Sequence, residues 1–245
     1  MSKKYELTNE TKTFADGTVL HRIRALRDIP RFGVKAGELG GFVEGENNLS
    51  QDGDAWVSGD AWVYGKALVF GDAEVFGNAR VYDDARVYGD AKVYGDAEVY
   101  GYAKVYGKAL VYGDANVFGD AEVYGYAKVS DDAKVYGNAK VSDDAKVYGD
   151  AEVFGDAWVF GDAEVSGYAD YMVIKNIWSS GRWFTYTSSN KKWAVGCFYG
   201  TGEELVAKAY KDSKLSGKCY EAIVHAVETI EAAKAEAKGE SNGSK

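Results

Sequence analysis

One six-residue pattern, A-x-V-[YFS]-[GD]-[DNKY], runs through the middle of the chain, and valine fills its anchor place without a break in period from Val57 to Val165. Alanine stands two residues before each anchor, so in an extended segment Ala and Val point to one side while x and the aromatic point to the other. The Gly-Asp pair that follows turns the chain, glycine by supplying φ > 0 and aspartate by bonding local amides. Because every segment has the same inward pair and the same corner, the strands cannot close as hairpins, but they can close as a coil. Three hexads make a triangular turn of about 18 residues that stacks at about 4.8 Å, and roughly 20 hexads give about six to seven coils.

Composition points the same way. There are 30 glycines against one proline, Pro30, and 19 tyrosines against two histidines, as expected of a short repeated unit. The repeat, with its aliphatic anchor and a small residue two places earlier, resembles the hexapeptide-repeat left-handed β-helix superfamily. The lead-in Leu39-Gly-Gly-Phe-Val-Glu44, with Asn48-Leu-Ser-Gln51, is similar to that of a catalytically empty subgroup found in bacteria and their phages. The resemblance implies a mainly β protein, a left-handed parallel β-helix in the form of a triangular solenoid.

A solenoid leaves unpaired strand edges at its ends, and natural ones cover them. Residues 1–50 read as a small N-terminal β cap, with strands over 4–8 and 18–26 around the Asp16-Gly17 turn and Val19, His21, Ile23 and Ala25 on one face. The repeats occupy 51–170. Residues 171–238 read as an α+β module: Tyr171 stands where a valine is due, Trp178, Trp183, Phe184, Trp193, Val195 and Phe198 predict two or three strands, and Thr201-Gly-Glu-Glu204 is a helix-opening capping box. A helical stripe follows at Tyr220, Ile223, Val224, Val227 and Ile230, and residues 239–245 read as a disordered tail. Trp56, Trp62 and Leu68 around the first coil and Trp158 near the last are expected to lie under the caps.

Net charge is −9, but residues 51–170 carry 23 acidic and 10 basic side chains, so the rod is acidic and its flanks are not. Such a rod does not bind duplex nucleic acid by neutralising phosphates, whereas imitation of nucleic acid is open to it. The polar N-terminus has no apolar signal region, no run of about 18 apolar residues occurs, and the two cysteines are expected as reduced thiols, so the reading is a cytoplasmic protein without a membrane partner.

Relatives by resemblance include acyltransferases with a histidine base and carbonic anhydrases with zinc on three histidines. Neither chemistry transfers here, since His21 and His225 both lie outside the coils and three histidines do not exist in the chain. His21 reads as a half-buried cap residue, His225 as a surface residue and Cys197 as a core residue on a strand face with Trp193 and Val195. The corner acids Asp60, Asp96, Asp114, Asp132 and Asp150, with Asn78 between the first two, read as corner caps, with a cation such as Ca²⁺ drawn by their mutual repulsion as the other reading. No catalytic residue, metal site or cofactor is assigned, and the protein reads as a non-enzyme.

With Ala and Val fixed by the core, function is expected on outward positions, above all in departures from the consensus, or in the two non-repeat caps. Of the 19 aromatic places 15 hold a ring, and two explanations stand open: rings stacked coil on coil stabilise the solenoid, or they meet a partner. Lys108 and Tyr126 replace aspartate on adjacent coils of one edge, and Leu110 replaces a charge between Lys92 and Lys128. Together with Tyr112 and Tyr94, and with Tyr82 and Tyr100 from the unbroken second row, they form a candidate site for a small anionic planar ligand such as a nucleotide, held by cation and stacking contacts. The expectation is thus a binding protein, in its sharper form a phage or prophage factor that counters host defence by sequestering a nucleotide or by blocking a host protein with its acidic rod. An acyltransferase-like enzyme and a self-assembling rod are the alternatives, and a homo-oligomer is allowed.

Overall fold

The computed structural model describes residues 3–177 and 181–242, and the chain divides into two compact units, 1–168 and 169–245. The first is a parallel β-solenoid of about seven turns with an antiparallel hairpin at its N-terminal end. Strands β1 (Tyr5–Thr13) and β2 (Val19–Ala25) pair antiparallel, and β2 passes the pairing on to β3 (Leu39–Val43). The hexads then supply nineteen two-residue strands, β4 (Trp56–Val57) to β22 (Glu164–Val165), and each pairs with the strand three places along. Three parallel faces result, of seven, six and nine strands, the last of these including β1 to β3.

The interior is the alternation written in the sequence. Every repeat alanine from Ala55 to Ala163 and every anchor valine from Val57 to Val165 is fully buried. Each such valine contributes about 1.5 to 3 kcal/mol by leaving water. The backbone ladder is satisfied coil on coil: Lys92 N donates to Ala109 O at 3.0 Å and Tyr94 N to Val111 O at 3.0 Å, and so on along the faces.

Corners follow the turn chemistry. The corner glycines have φ near +70°, as at Gly95 (+76°), and three aspartates, Asp83, Asp131 and Asp143, take the same left-handed backbone at +57° to +59°. Each of these aspartates turns its carboxylate to the glycine amide one coil on, Asp83 to Gly101 (3.3 Å), Asp131 to Gly149 (3.1 Å) and Asp143 to Gly161 (3.3 Å). The side-chain bond offsets the cost of the left-handed backbone.

The first coil begins ahead of Gln51. Phe42 and Val43 pair in parallel with Trp62 and Val63, and Leu49 bridges to Val69. Gly41-Phe42-Val43 is therefore an A-x-V segment with glycine for alanine, because a Cβ at 41 would lie 2.7 Å from Ala61 O and 2.8 Å from Val57 Cγ1. The six-residue spacing from Val43 to Leu49 becomes eight from Leu49 to Val57, and this interruption hides the coil from a period search.

At this end the cap closes the rod with polar groups. Lys4, fully buried, donates from Nζ to Ala55 O at 2.7 Å; Tyr5 OH donates to Leu49 O at 2.7 Å; Asn48 Nδ2 donates to Ala67 O at 2.9 Å and Gly65 O at 3.1 Å. Glu44 accepts from Gly65 N at 2.7 Å. Backbone groups that have no coil before them thus gain partners. Trp56 is buried and Trp62 packs against Phe14 at 5.3 Å, with Arg80 over its ring.

In the second unit, β23 (Tyr171–Lys175), β24 (Trp183–Thr187), β25 (Lys192–Val195) and β26 (Phe198–Gly200) form an antiparallel sheet, followed by α1 (Gly202–Asp212) and α2 (Lys214–Asn242). The capping box is formed, Glu204 N donating to Thr201 Oγ1 at 3.2 Å and Thr201 N to Glu204 Oε2 at 2.8 Å. Phe184, Trp193, Leu205, Val224 and Val227 make its core, with Tyr220 and Ile223 packed against them. Ile230, predicted on the same stripe, is 43% exposed. The α2 helix continues past Gly239 to Asn242, where a disordered tail had been expected, and Trp178 and residues 243–245 lie outside the described residues.

Cys197 is exposed, not in the core. β25 ends at Val195 and Gly196 turns the chain at φ +59°, so Cys197 sits in the tight turn to β26 and does not share the buried face of Trp193 and Val195. Both cysteines are free. Among the described residues no helix is long and apolar enough to cross a membrane.

Candidate functional site

The rod's outer surface is a set of three side-chain ladders. On the nine-stranded face Tyr64, Tyr82, Tyr100, Phe118, Tyr136 and Phe154 stack at 4.9 to 5.4 Å between successive centroids, and Phe14 of the cap closes the row edge-on against Tyr64. Phe70, Tyr88, Tyr106 and Tyr124 stack on the six-stranded face, and Phe76, Tyr94 and Tyr112 on the seven-stranded one.

Beside the rings runs a recurring ionic unit. Glu98 accepts from Arg80 at 3.1 Å and from Tyr82 OH at 3.0 Å; Glu122 accepts from Lys104 at 3.1 Å and Tyr106 OH at 3.2 Å; Glu152 accepts from Lys134 at 3.3 Å and Tyr136 OH at 3.2 Å. Burial, with the carboxylate as acceptor, raises the Tyr82 and Tyr106 phenols well above their ordinary range. These residues serve the ladder.

The predicted site divides accordingly. Lys108 and Tyr126 are together: Lys108 Nζ donates to Tyr126 OH at 3.2 Å and lies 5.0 Å from its ring centroid. Both are exposed on the corner column that also holds Asp72 and Asp90. Leu110 pairs in register with Lys92 on one side and Lys128 on the other, and Tyr112 stacks on Tyr94 at 5.0 Å. Lys108, Leu110, Tyr112, Tyr94 and Tyr126 therefore form one strip along the seven-stranded face and its edge. Tyr82 and Tyr100 do not join it. They belong to the nine-stranded face and are occupied in its stack, and the corner carrying Asp96 and the Glu98 rung separate them from Tyr94.

Sequence reasoning missed the cap's share in this strip. Arg31, in the 3₁₀ turn Pro30–Phe32, pairs with Asp72 at 3.6 Å and with Asp90, and Lys92 Nζ lies 5.8 Å from the Phe32 ring. The Pro30-Arg-Phe-Gly33 segment, with its single proline, was the available signal. Farther along the face, Tyr112, Lys128, Ser130, Lys146 and Tyr148, with the carboxylates of Asp131 and Glu164, line an open recess of about 360 Å³. Its signal is the serine at 130, in a row that otherwise holds rings on either side.

The cations of the strip differ in their engagement. Lys92 holds Glu74 at 2.8 Å and Lys146 holds Glu164 at 2.7 Å. Among the described residues Lys108 and Lys128 hold no carboxylate. The corner acids show no arrangement for a metal: Asn78 Nδ2 donates to Asp96 Oδ1 at 3.0 Å, and among the described residues no group of three or more acidic, histidine or cysteine side chains is placed to hold an ion. His21 Nδ1 lies 3.3 Å from Thr8 O in the cap hairpin, and His225 is exposed on α2.

A search of curated proteins finds no match to the chain. The family model described as YdcK Beta solenoid repeat matches residues 73–89 and 79–95, within the repeat array, so over that part the chain is similar to a known β-solenoid repeat.

Proposed function

We propose that this is a non-enzymatic binding protein that takes a small anionic planar ligand, a nucleotide by chemical class, on the basic strip of its seven-stranded face. The observation that carries the reading is the pair Lys108 and Lys128, exposed and without carboxylate partners among the described residues, on either side of Leu110 and Tyr112 in an otherwise acidic rod. Elsewhere Arg80, Lys104 and Lys134 are each matched to a glutamate one coil away. Of the other repeat cations Arg86, on the six-stranded face, also holds no carboxylate among the described residues but stands apart from any second such cation. Cations left without a counter-charge beside ring faces suit a ligand with a negative group and a flat one.

The finer family assignment, a hexapeptide-repeat left-handed β-helix of the catalytically empty subgroup, belongs to this reading and is supported by the six-residue period and the Gly41-Phe42-Val43 lead-in coil. An acyltransferase needs a histidine base in a cleft, and the positions of His21 and His225 favour binding over turnover. A phage factor that withdraws a signalling nucleotide from its host is the biological form that the lead-in resemblance suggests.

Calorimetry and thermal shift of the full chain against mononucleotides and cyclic dinucleotides test the reading. Binding that weakens with salt and in Lys108→Gln and Lys128→Gln is expected. Absence of binding by any nucleotide overturns it, and turnover of acetyl-CoA with an amine or sugar acceptor overturns the non-enzymatic assignment.

A further inference from the structure

Two aromatic rows are interrupted inside the rod, at Ser142 on the six-stranded face and at Ser130 on the seven-stranded face, and the two interruptions are treated differently. At Ser142 the protein fills its own gap. Trp158, sixteen residues on and one coil away, donates from Nε1 to Ser142 Oγ at 3.3 Å while its indole stacks on Phe160 at 4.7 Å, so a flat ring lies over the serine. The residue in the same place relative to Ser130 is Lys146, and its ammonium turns to Glu164 at 2.7 Å.

What remains over Ser130 is the recess of about 360 Å³, with Tyr112 on one side and Tyr148 on the other. These rings stand two coils apart, about 10 Å by the strand spacing, which leaves room for one ring at the ladder's own repeat. Elsewhere in this row the repeat is 4.7 to 5.0 Å between centroids. Ser130 itself is buried at the floor, and two carboxylates share the lining, Glu164 held by Lys146 at 2.7 Å and Asp131 accepting from Gly149 N at 3.1 Å. Exposed Lys128, which holds no carboxylate among the described residues, stands at the rim.

We infer that the Ser130 recess is a stacking slot for a nucleotide base, which enters as the missing rung between Tyr112 and Tyr148 while its phosphate meets Lys128. Sequence-tolerant stacking of a base on aromatic side chains, with a lysine on the anion, is the chemistry such a slot offers. The inference rests on the nucleotide-binding reading and gives it a location. The slot admits a flat group alone, because a ring closes it above and below.

The test is calorimetry on the full chain with AMP, GMP, CMP and UMP, and with ribose 5-phosphate as the probe that lacks a base. At least one monophosphate is expected to bind about tenfold to a hundredfold more tightly than ribose 5-phosphate. Ser130→Tyr supplies the rung that neighbouring coils carry, so it should lose monophosphate binding by a similar factor with no fall in melting temperature. Lys128→Gln should weaken the monophosphate and leave the matching nucleoside unchanged. If Ser130→Tyr binds as the wild type does while the lysine variants lose affinity, the slot is wrong and the basic strip stands. If the wild type binds none of the probes but does bind a cyclic dinucleotide on the lysines, the slot again fails alone; if it binds no nucleotide of any kind, both fail.

Discussion

The Trp158 indole covers Ser142, its Nε1 donating to the serine Oγ at 3.3 Å, whereas Lys146, placed identically with respect to Ser130, leaves that serine for Glu164. The same substitution therefore has opposite consequences at the two serines. Ser130→Tyr completes a row and should stabilise the solenoid by about 0.5 to 1.5 kcal/mol. Ser142→Tyr drives a second ring into space the indole holds and should destabilise by about 1 to 3 kcal/mol. Urea denaturation of the two variants checks the sign of each.

Lys4 predicts an unusual alkaline response. Burial, with Arg27 nearby, pushes its ammonium down to about 8 from an ordinary 10.5. Between those values the unfolded chain binds more protons at this position than the folded one, so this group makes stability rise as pH rises from about 8 toward 10.5. Denaturation at pH values between about 8 and 9.5, below tyrosine ionisation, should show that rise, and Lys4→Met should flatten it.

The ladder phenols act in the opposite sense. Tyr82 and Tyr106 ionise in the folded protein well above their ordinary value of 10.0, mainly because they are buried and then because Glu98 and Glu122 lie beside them. Their contribution to stability is complete below pH 10.0 and is lost as pH rises beyond it, since the unfolded phenols release their protons first. Ultraviolet titration of phenolate should show a late-ionising class, which Glu98→Gln and Glu122→Gln shift toward the ordinary value.

Corner glycines should differ in tolerance by what stands above them. At Gly95, φ +76°, a Cβ would lie 2.9 Å from Gly113 N, while at Gly155, φ +67°, no atom of the described residues stands within 4 Å. Gly155→Ala should cost about 1 kcal/mol for the backbone conformation alone. Gly95→Ala adds a backbone clash and should cost about 2 kcal/mol or more. Melting temperatures of the pair measure the difference.

The solenoid was legible because its interior repeats. Ala and Val at fixed spacing leave one inward face and one turn, and pairing one strand to the third beyond it follows from the closure of the coil. The coil at Phe42 and Leu49 was hidden because glycine replaces alanine at 41 and two residues break the period. Most of the proposed strip could be read as departures from consensus at Lys108, Leu110 and Tyr126. Tyr82 and Tyr100 were already legible as a separate row by the 18-residue period, but their distance from the strip, across the Asp96 corner and the Glu98 rung, is set by the three-faced geometry of the coil. Cys197 was misplaced because a turn of two residues reverses the chain within what looks like one strand. Arg31 and Phe32 reach the strip across a long sequence separation, which no local pattern encodes.

The uniform interior has a further consequence. Val63, Val81 and Val99 occupy equivalent rungs, so sliding the upper coils by one full turn would return every valine to a valine and every alanine to an alanine. Nothing inside the rod tells a coil its height. That address is written outside: Arg80 meets Glu98 and not another cation, Lys134 meets Glu152, and Asp83 reaches one particular glycine amide. The irregular surface is what gives a translationally symmetric core a single folded frame.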